Sequence, residues 1–460
     1  MGFADGVSSA CSRPYVFGGA AGRALLVTAL VAAASGIPAR VRAEEVADEG
    51  EDDDQSGGVV LDNALFEQRS AQSEALVRNA QPTVQVGGYV DFGFFVPEGN
   101  GSGYIEDFGH VYFPGYAGQF GWVFLGDILA PAINTRGEVA DLGPAPGVNR
   151  YDSINSRGAP GFVLNEVNVA LRSALTPTAL VSASINFTPR TGSDFALGDA
   201  FDVDIAQVEW LPTDSQRTSI FVGKMDPVFG IEYRDRKSDR RFGITPSLMA
   251  RYTIGTALGL KLRTKFGSND WLVLAIALTN GSNTTEQFHF YDELDSNAGK
   301  TGSARLSLKL PWSIEIGVSG SAGPQDRATN TAHWMWFYGV DLMGHWGRFD
   351  LKGQWMQGHG AGEPSQGVYG LDLNNGGYLE LDTILTPSLG VLGRGEYRDA
   401  FVWLATQRAY VTRSWRATFG VRWVLTPRAV AKAEYLWNGE YDGVPPIANN
   451  VFTTSLVMSF

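Results

Sequence analysis

From residue 83 to the last residue, apolar side chains recur at every second position, in runs too long for the strands of an ordinary soluble domain. TVQVGGYVDFGFF alternates Val84, Val86, Val90, Phe92 and Phe94 against smaller or polar residues. FVLNEVNVALRS puts Val163, Val167, Val169 and Leu171 on one face and Glu166, Asn168 and Arg172 on the other. SARLSLKL sets Ala304, Leu306, Leu308 and Leu310 against Ser303, Arg305, Ser307 and Lys309. SWRATFGVRWVL sets Trp415, Ala417, Phe419, Val421, Trp423 and Leu425 against Arg416, Thr418 and Arg422. A period of two is the signature of a strand with two unlike faces. Soluble strands average roughly five to six residues, whereas about ten tilted residues cross a bilayer. Alternation alone also suits a soluble sandwich. Length and repetition favour a transmembrane β-barrel, and so do 56 Gly and 54 aromatic residues (12 Trp, 26 Phe, 16 Tyr) with only 18% charged residues.

The turns supply topology. Leu175-Thr176-Pro177, Leu211-Pro212, Leu310-Pro311, Leu385-Thr386-Pro387 and Leu425-Thr426-Pro427 join consecutive runs, and GSND (267–270) and 345–348 are equally short. Proline stops ladder pairing, which suits a turn. Between these lie longer Gly/Asn/Asp-rich connections, such as NGSNTTEQFHFYDELDSN and GAGEPSQGVYGLDLNN. Short turns alternating with long loops is the arrangement of outer-membrane barrels, with short turns in the periplasm. The rule predicts strands near 84–95, 162–173, 179–187, 202–211, 217–224, 252–266, 270–280, 300–310, 312–321, 334–345, 348–358, 376–385, 388–398, 411–425, 428–438 and 450–460. These number sixteen, with both barrel ends in the periplasm. Residues 96–161 become a long first loop, and QFGWVFLGDILAPAIN (119–134) is apolar enough to add two short strands, for eighteen.

The N-terminus reads as a secretory signal. Arg13 and Arg23 precede the apolar run 24–38, and Val41-Arg42-Ala43 is a small-x-small site, which predicts a signal peptide over 1–43; a short membrane anchor is the alternative. Removing that segment takes away four Arg and one Asp and moves the formal charge from -13 to -16. Residues 44–60 then form an acidic, solvated linker. LDNALFEQRSAQSEALVRNA has helical spacing through Leu61, Ala64, Leu65, Gln68, Ala71, Ala75 and Leu76, so 61–82 reads as a short periplasmic helix or a frayed linker. The barrel occupies 83–460. The one cysteine, Cys11, lies in the signal, so the mature chain carries no disulfide or thiol chemistry.

Ten tryptophans fall at two levels of this layout. Trp210, Trp271, Trp312, Trp346 and Trp423 lie at periplasmic ends, and Trp334, Trp336, Trp355, Trp415 and Trp437 near outer ends. Two aromatic girdles are expected of a barrel in a bilayer. The last run, NNVFTTSLVMSF, puts Phe452, Thr454, Leu456, Met458 and Phe460 outward. A terminal Phe460 after such alternation resembles the insertion signal read by the barrel-assembly machinery of bacterial outer membranes.

In this acidic chain RDRKSDRR gathers Arg234, Arg236, Lys237, Arg240 and Arg241 into eight positions. A nucleic-acid patch is excluded by the acidic remainder and the outer-membrane layout. Just before it stands GKMDPVFGIE, with Gly223, Pro227, Phe229, Gly230 and Glu232, and Thr245–Leu248 (TPSL) follows. This segment resembles the G-x-x-x-x-P-F-G-x-E motif of the phosphate-selective (phosphate/polyphosphate) porin superfamily, with Val228 as an inserted residue. The likeness covers roughly 162–265 and the C-terminus. It implies a sixteen-stranded, homotrimeric porin whose loop after the motif, 225–251, folds inward as a constriction.

With Glu232 counted, the basic loop has five positive and three negative charges, a net +2, and charged rings in a constriction set ion preference. Lys261, Arg263, Arg305, Arg416 and Arg422 face the lumen on strands, in a mixed but slightly basic set with Arg172, Lys265, Lys309, Arg348, Lys352, Arg394, Arg398 and Lys432. Glu166, Glu209, Glu315, Asp341, Asp350, Glu380, Asp382, Glu396 and Glu434 oppose them. Paired charges of ordinary lumen polarity are the competing account.

No catalytic constellation is present. His110, His289, His333, His345 and His359 lack metal-ligand spacing, and no nucleophile elbow, P-loop or dinucleotide fingerprint stands in context. The expectation is a porin, not an enzyme, without metal or cofactor. It passes small hydrophilic solutes, with a mild preference for anions such as phosphate, and lies among outer-membrane lipid and lipopolysaccharide. A structural or adhesive barrel acting through its long loops is the alternative.

Overall fold

In a computed structural model, the described residues are 84–97, 104–105, 121–122, 160–187, 201–212, 217–267, 269–281, 297–324, 331–362, 370–404, 407–441 and 450–460. The expected signal peptide, acidic linker and helix, and nearly all of the long first loop, lie outside them. No helix among the described residues is long and apolar enough to cross a membrane, and the crossing is made by strands.

Sixteen antiparallel strands close into a barrel, each paired with its neighbours in sequence. We number them β1 (Val84–Pro97), β2 (Gly161–Thr176), β3 (Ala179–Phe187), β4 (Phe201–Trp210), β5 (Thr218–Met225), β6 (Ala257–Phe266), β7 (Leu272–Thr279), β8 (Thr301–Leu310), β9 (Ile314–Pro324), β10 (Trp334–Trp346), β11 (Phe349–Gly360), β12 (Gly370–Thr386), β13 (Leu389–Leu404), β14 (Gln407–Thr426), β15 (Ala429–Glu440) and β16 (Val451–Ser459). Closure runs through β1, which pairs with β2 on one side and β16 on the other. The eighteen-strand alternative is not realised. β1 meets β2 directly, and among the described residues between them Tyr104–Ile105 and Gly121–Trp122 pair in a separate two-residue ladder.

The alternation read from the sequence is the alternation of the wall. Along β10, Trp334, Trp336, Tyr338 and Val340 are exposed while Met335, Phe337, Asp341 and Met343 are buried. Leu258, Leu260 and Leu262, then Ile276 and Leu278, then Leu306, Leu308 and Leu310 continue the exposed apolar face. An apolar belt of this extent requires a bilayer rather than water around it. Trp210, Trp271, Trp312, Trp346 and Trp423 are exposed at the turn end, and Trp334, Trp336 and Trp437 at the loop end. Phe460 lies outward beside β1, its N–H donating to the Gly88 carbonyl at 3.0 Å.

Three features correct the sequence reading. First, β2 bulges opposite Asp91 and Phe92, so Phe162 faces out and the outward set shifts to Val169 and Leu171 beyond the bulge; the side chain of the bulged Asn165 turns in and donates to Asp91 at 3.0 Å. One extra residue switches the face of everything beyond it. Second, β12, β13 and β14 are taller than expected, at 17, 16 and 20 residues. Residues 399–410, expected as a loop, are mostly a continuing β13–β14 hairpin. Third, 252–256 belong to the connection before β6, because Ala250–Tyr252 closes a 3-10 turn instead of starting a strand. Arg348 also leaves the lumen set: it stands exposed in the β10–β11 turn.

Candidate functional site

The connection from β5 to β6, residues 226–256, folds inside the barrel. Local chemistry starts it there. Gly223, at φ 124°, sits where a Cβ would come 2.1 Å from the Ala206 carbonyl oxygen, and Gly230 turns the chain at φ 74°. Both positions require glycine. A 3-10 turn, Glu232–Asp235, follows. The Glu232 carboxylate then accepts from the Ser247 N–H at 2.6 Å and the Ser247 hydroxyl at 2.5 Å, joining the two limbs of the loop. Burial pushes the Glu232 carboxyl above its usual range, against those hydrogen bonds. Phe229 packs with Leu248, Met249 and Tyr252 against Met335, Phe337, Met356, Leu371 and Leu373, an apolar core inside the barrel. Pro227 lies next to Val228, which packs on Ala275 and Ala277. The motif residues therefore build the loop rather than carry its chemistry.

Hydrogen bonds and ion pairs fasten the loop to strands from β2 round to β15. Arg234 reaches Glu315 at 3.3 Å and the Met343 sulfur at 3.5 Å. Arg236 pairs with Asp204 and, at 2.8 Å, with Asp226. Lys237 pairs with Asp204 at 2.9 Å and donates to the Ser184 hydroxyl at 3.1 Å. The guanidinium of Arg241 donates to the loop's own carbonyls, those of Asp235 at 3.2 Å, Ile244 at 2.8 Å and Arg236. Of the five bases only Arg240 is exposed, without a side-chain partner among the described residues, and it lies within electrostatic reach of Arg172 on β2.

The far side of the loop is joined to β13–β15. The Glu434 carboxylate accepts from Ile244 and Thr245 N–H at 2.6 and 2.9 Å. Glu396 accepts from Leu248 N–H at 2.5 Å and from Arg416 at 2.6 Å, and it pairs with Arg394 at 3.1 Å. Arg394 and Arg416 both donate to the Pro246 carbonyl, at 3.1 and 2.6 Å. Lys432 donates to the carbonyls of Ser238, Arg241 and Gly243 at 2.7, 2.5 and 2.9 Å. On β11, Lys352 meets Asp235 at 2.5 Å. Removing one partner of such a buried charged set costs about 3–5 kcal/mol, because the other charge is left without compensation.

The remaining candidates divide between two walls. Arg305 on β8 is buried between Asp341 and Glu315, at 2.6 and 2.8 Å. Lys261 and Arg263 on β6 are half-buried, with Lys261 donating to the Asp226 carbonyl at 3.0 Å and Arg263 3.5 Å from Glu209. Both cations lie over the Phe221 ring, at 4.5 and 5.2 Å. Lys265 shares their face. Four successive strands, β5 to β8, contain no Asp or Glu at all and carry Lys224, Lys261, Arg263, Lys265, Arg305 and Lys309. Arg422 on β14 lies beside Phe242, the ring centroid 5.8 Å away.

Asp204 and Asp226 were not legible as partners of the basic run. Counting back from the outward Trp210, Val208 and Ala206 places Asp204 outward too. A bulge against Ser184 and Ile185 turns it inward instead. Among the described residues no cluster of His, Cys, Asp and Glu has metal-binding geometry.

No protein-family model matches the chain, and no curated protein matches it. Solved structures do. The outer-membrane channel DcaP of Acinetobacter baumannii superposes with a TM-score of 0.50 at 10% identity, covering 82% of this chain and 97% of that one. OmpF of Salmonella typhi, solved in complex with daunomycin, gives a TM-score of 0.50 at 10% identity, covering 83% and 99%. The class is thereby set by fold: a sixteen-stranded transmembrane barrel like those of outer-membrane channels.

Proposed function

We propose that the protein is an outer-membrane porin, a passive channel for small hydrophilic solutes with a mild preference for anions. A sixteen-stranded barrel is wide enough to enclose an aqueous path. The observation that carries the preference is the carboxylate-free inner wall of β5–β8, whose Lys261, Arg263 and Lys265 share one partly exposed face of β6. Cations outnumber carboxylates on that face, and its field attracts anions. Arg172 on β2 and the exposed Arg240 form a second basic pair, within electrostatic reach of each other. Phosphate-like anions are the first solutes to test, on the resemblance of the GKMDPVFGIE segment. The same reading places the chain in the outer membrane as a homotrimer among lipid and lipopolysaccharide, exported by its N-terminal signal and inserted by the barrel-assembly machinery through its Phe460 end.

Planar-bilayer recording under a potassium chloride gradient tests it. Stable conductance steps with a reversal potential on the chloride side are expected. A cation-side reversal potential overturns the anion preference, and absence of conductance overturns the channel.

A further inference from the structure

At the turn end of the barrel, Phe242 of the inserted loop and the β12–β13 and β14–β15 turns border a half-open cavity of about 520 Å³. That volume falls in the usual range of small-molecule sites, roughly 300–1,000 Å³. Its walls are mainly apolar: Phe242, Ile384, Leu389 and Val424. Phe242 is seated against the wall, since a Cβ on Gly390 would come 2.5 Å from its ring. One charge faces this apolar space. Arg422 is only 7% exposed, lines the cavity, and among the described residues has no hydrogen-bond or ion-pair partner. Its contact is the Phe242 ring, at 5.8 Å. The nearby carboxylate that acts on it electrostatically, Asp382, is paired with Lys352 at 3.5 Å.

We propose that this cavity binds an amphipathic organic anion, an aromatic or branched hydrocarbon carrying one carboxylate, with the carboxylate on Arg422 and the hydrocarbon against Phe242, Ile384, Leu389 and Val424. The chemistry selects that class. A guanidinium offers a planar fork that matches a carboxylate in two parallel hydrogen bonds. A neutral apolar molecule would leave the buried guanidinium uncompensated. A bare inorganic anion would leave the apolar walls uncovered. The site is separate from the β5–β8 wall, and binding is read without ion flow, so its failure does not bear on the porin reading.

The test is equilibrium binding of 2-naphthoate and of its neutral analogue 2-naphthylmethanol to the purified full-length barrel in nanodiscs, with empty nanodiscs as reference. The expected result is saturable binding of the acid, one per chain, with the alcohol at least about tenfold weaker. Phe242→Ala weakens both ligands, and Arg422→Gln abolishes the difference between them. Equal affinity for acid and alcohol, or no saturable binding of the acid, overturns the proposal. The wild-type pair decides even where a variant fails to fold, as judged by heat-modifiable gel mobility. A folded Arg422→Gln barrel that still prefers the acid also overturns it.

Discussion

The β5–β8 wall and the β12–β14 wall belong to one barrel, yet they treat charge in opposite ways. The first is short, with strands of 8, 10, 8 and 10 residues, and holds bases without a single carboxylate. The second is tall, and on its inner face Glu380, Asp382 and Glu396 alternate with Arg394, Arg416 and Arg422, nearly all buried. The loop resolves the contrast. Its polypeptide carbonyls and N–H groups complete the hydrogen bonding of Arg394, Glu396, Arg416, Lys432 and Glu434, so those charges are internal to the protein. The bases of β6 are less deeply buried: the side chains of Arg263 and Lys265 are 16% exposed, against 2% for Arg394 and Arg416. Charge content alone therefore does not identify the face that acts on solutes; what matters is which charges are already satisfied.

The largest effect should follow from breaking the loop's attachment to the tall wall. Glu396→Ala leaves Arg394, Arg416 and the Leu248 N–H without their common acceptor. A loss of about 3–5 kcal/mol is expected, seen as an earlier transition in heat-modifiable gel mobility together with noisier, larger single-channel currents. Next in size is Arg236→Gln, which leaves Asp204 and Asp226 short of a guanidinium. It should lower thermal stability while leaving the sign of ion preference unchanged. A smaller and opposite pattern is expected of Arg240→Gln: unchanged stability, with the reversal potential moved part of the way toward zero. If Arg236→Gln and Arg240→Gln behave alike, the division between fastening charges and wetted charges is wrong.

The smallest effect concerns Glu232. Its carboxyl is raised above 4.5 by burial. A raised folded value means that the neutral form's contribution to stability is complete below pH 4.5 and is lost as pH rises through the folded value. Glu232→Gln should flatten that part of the stability-against-pH curve, measured by thermal melting from pH 4 to 7.

The sixteen strands were legible because lipid outside and water inside impose strict alternation, and because Leu-Thr-Pro turns mark the hairpins. The basic run was legible as a feature and its inward loop as an expectation from resemblance. Its partners were not. Asp204 is brought in by a bulge, and the acceptors of Lys432, Arg394 and Arg416 are loop carbonyls, which no side-chain pattern announces. The tall β13–β14 hairpin was missed because its upper part, 399–410, opens on Asp399 and read as loop polarity, whereas Asp399 lies buried.

The most direct measurement of the account is the reversal potential of the Lys261→Glu/Arg263→Glu barrel beside that of the wild type. Reversing both charges on the carboxylate-free wall should carry the preference from anions to cations, with the barrel's thermal transition little changed because these side chains are partly solvated. An unchanged anion preference in that folded variant would contradict the claim that this wall, rather than the fastened loop, sets what the channel passes.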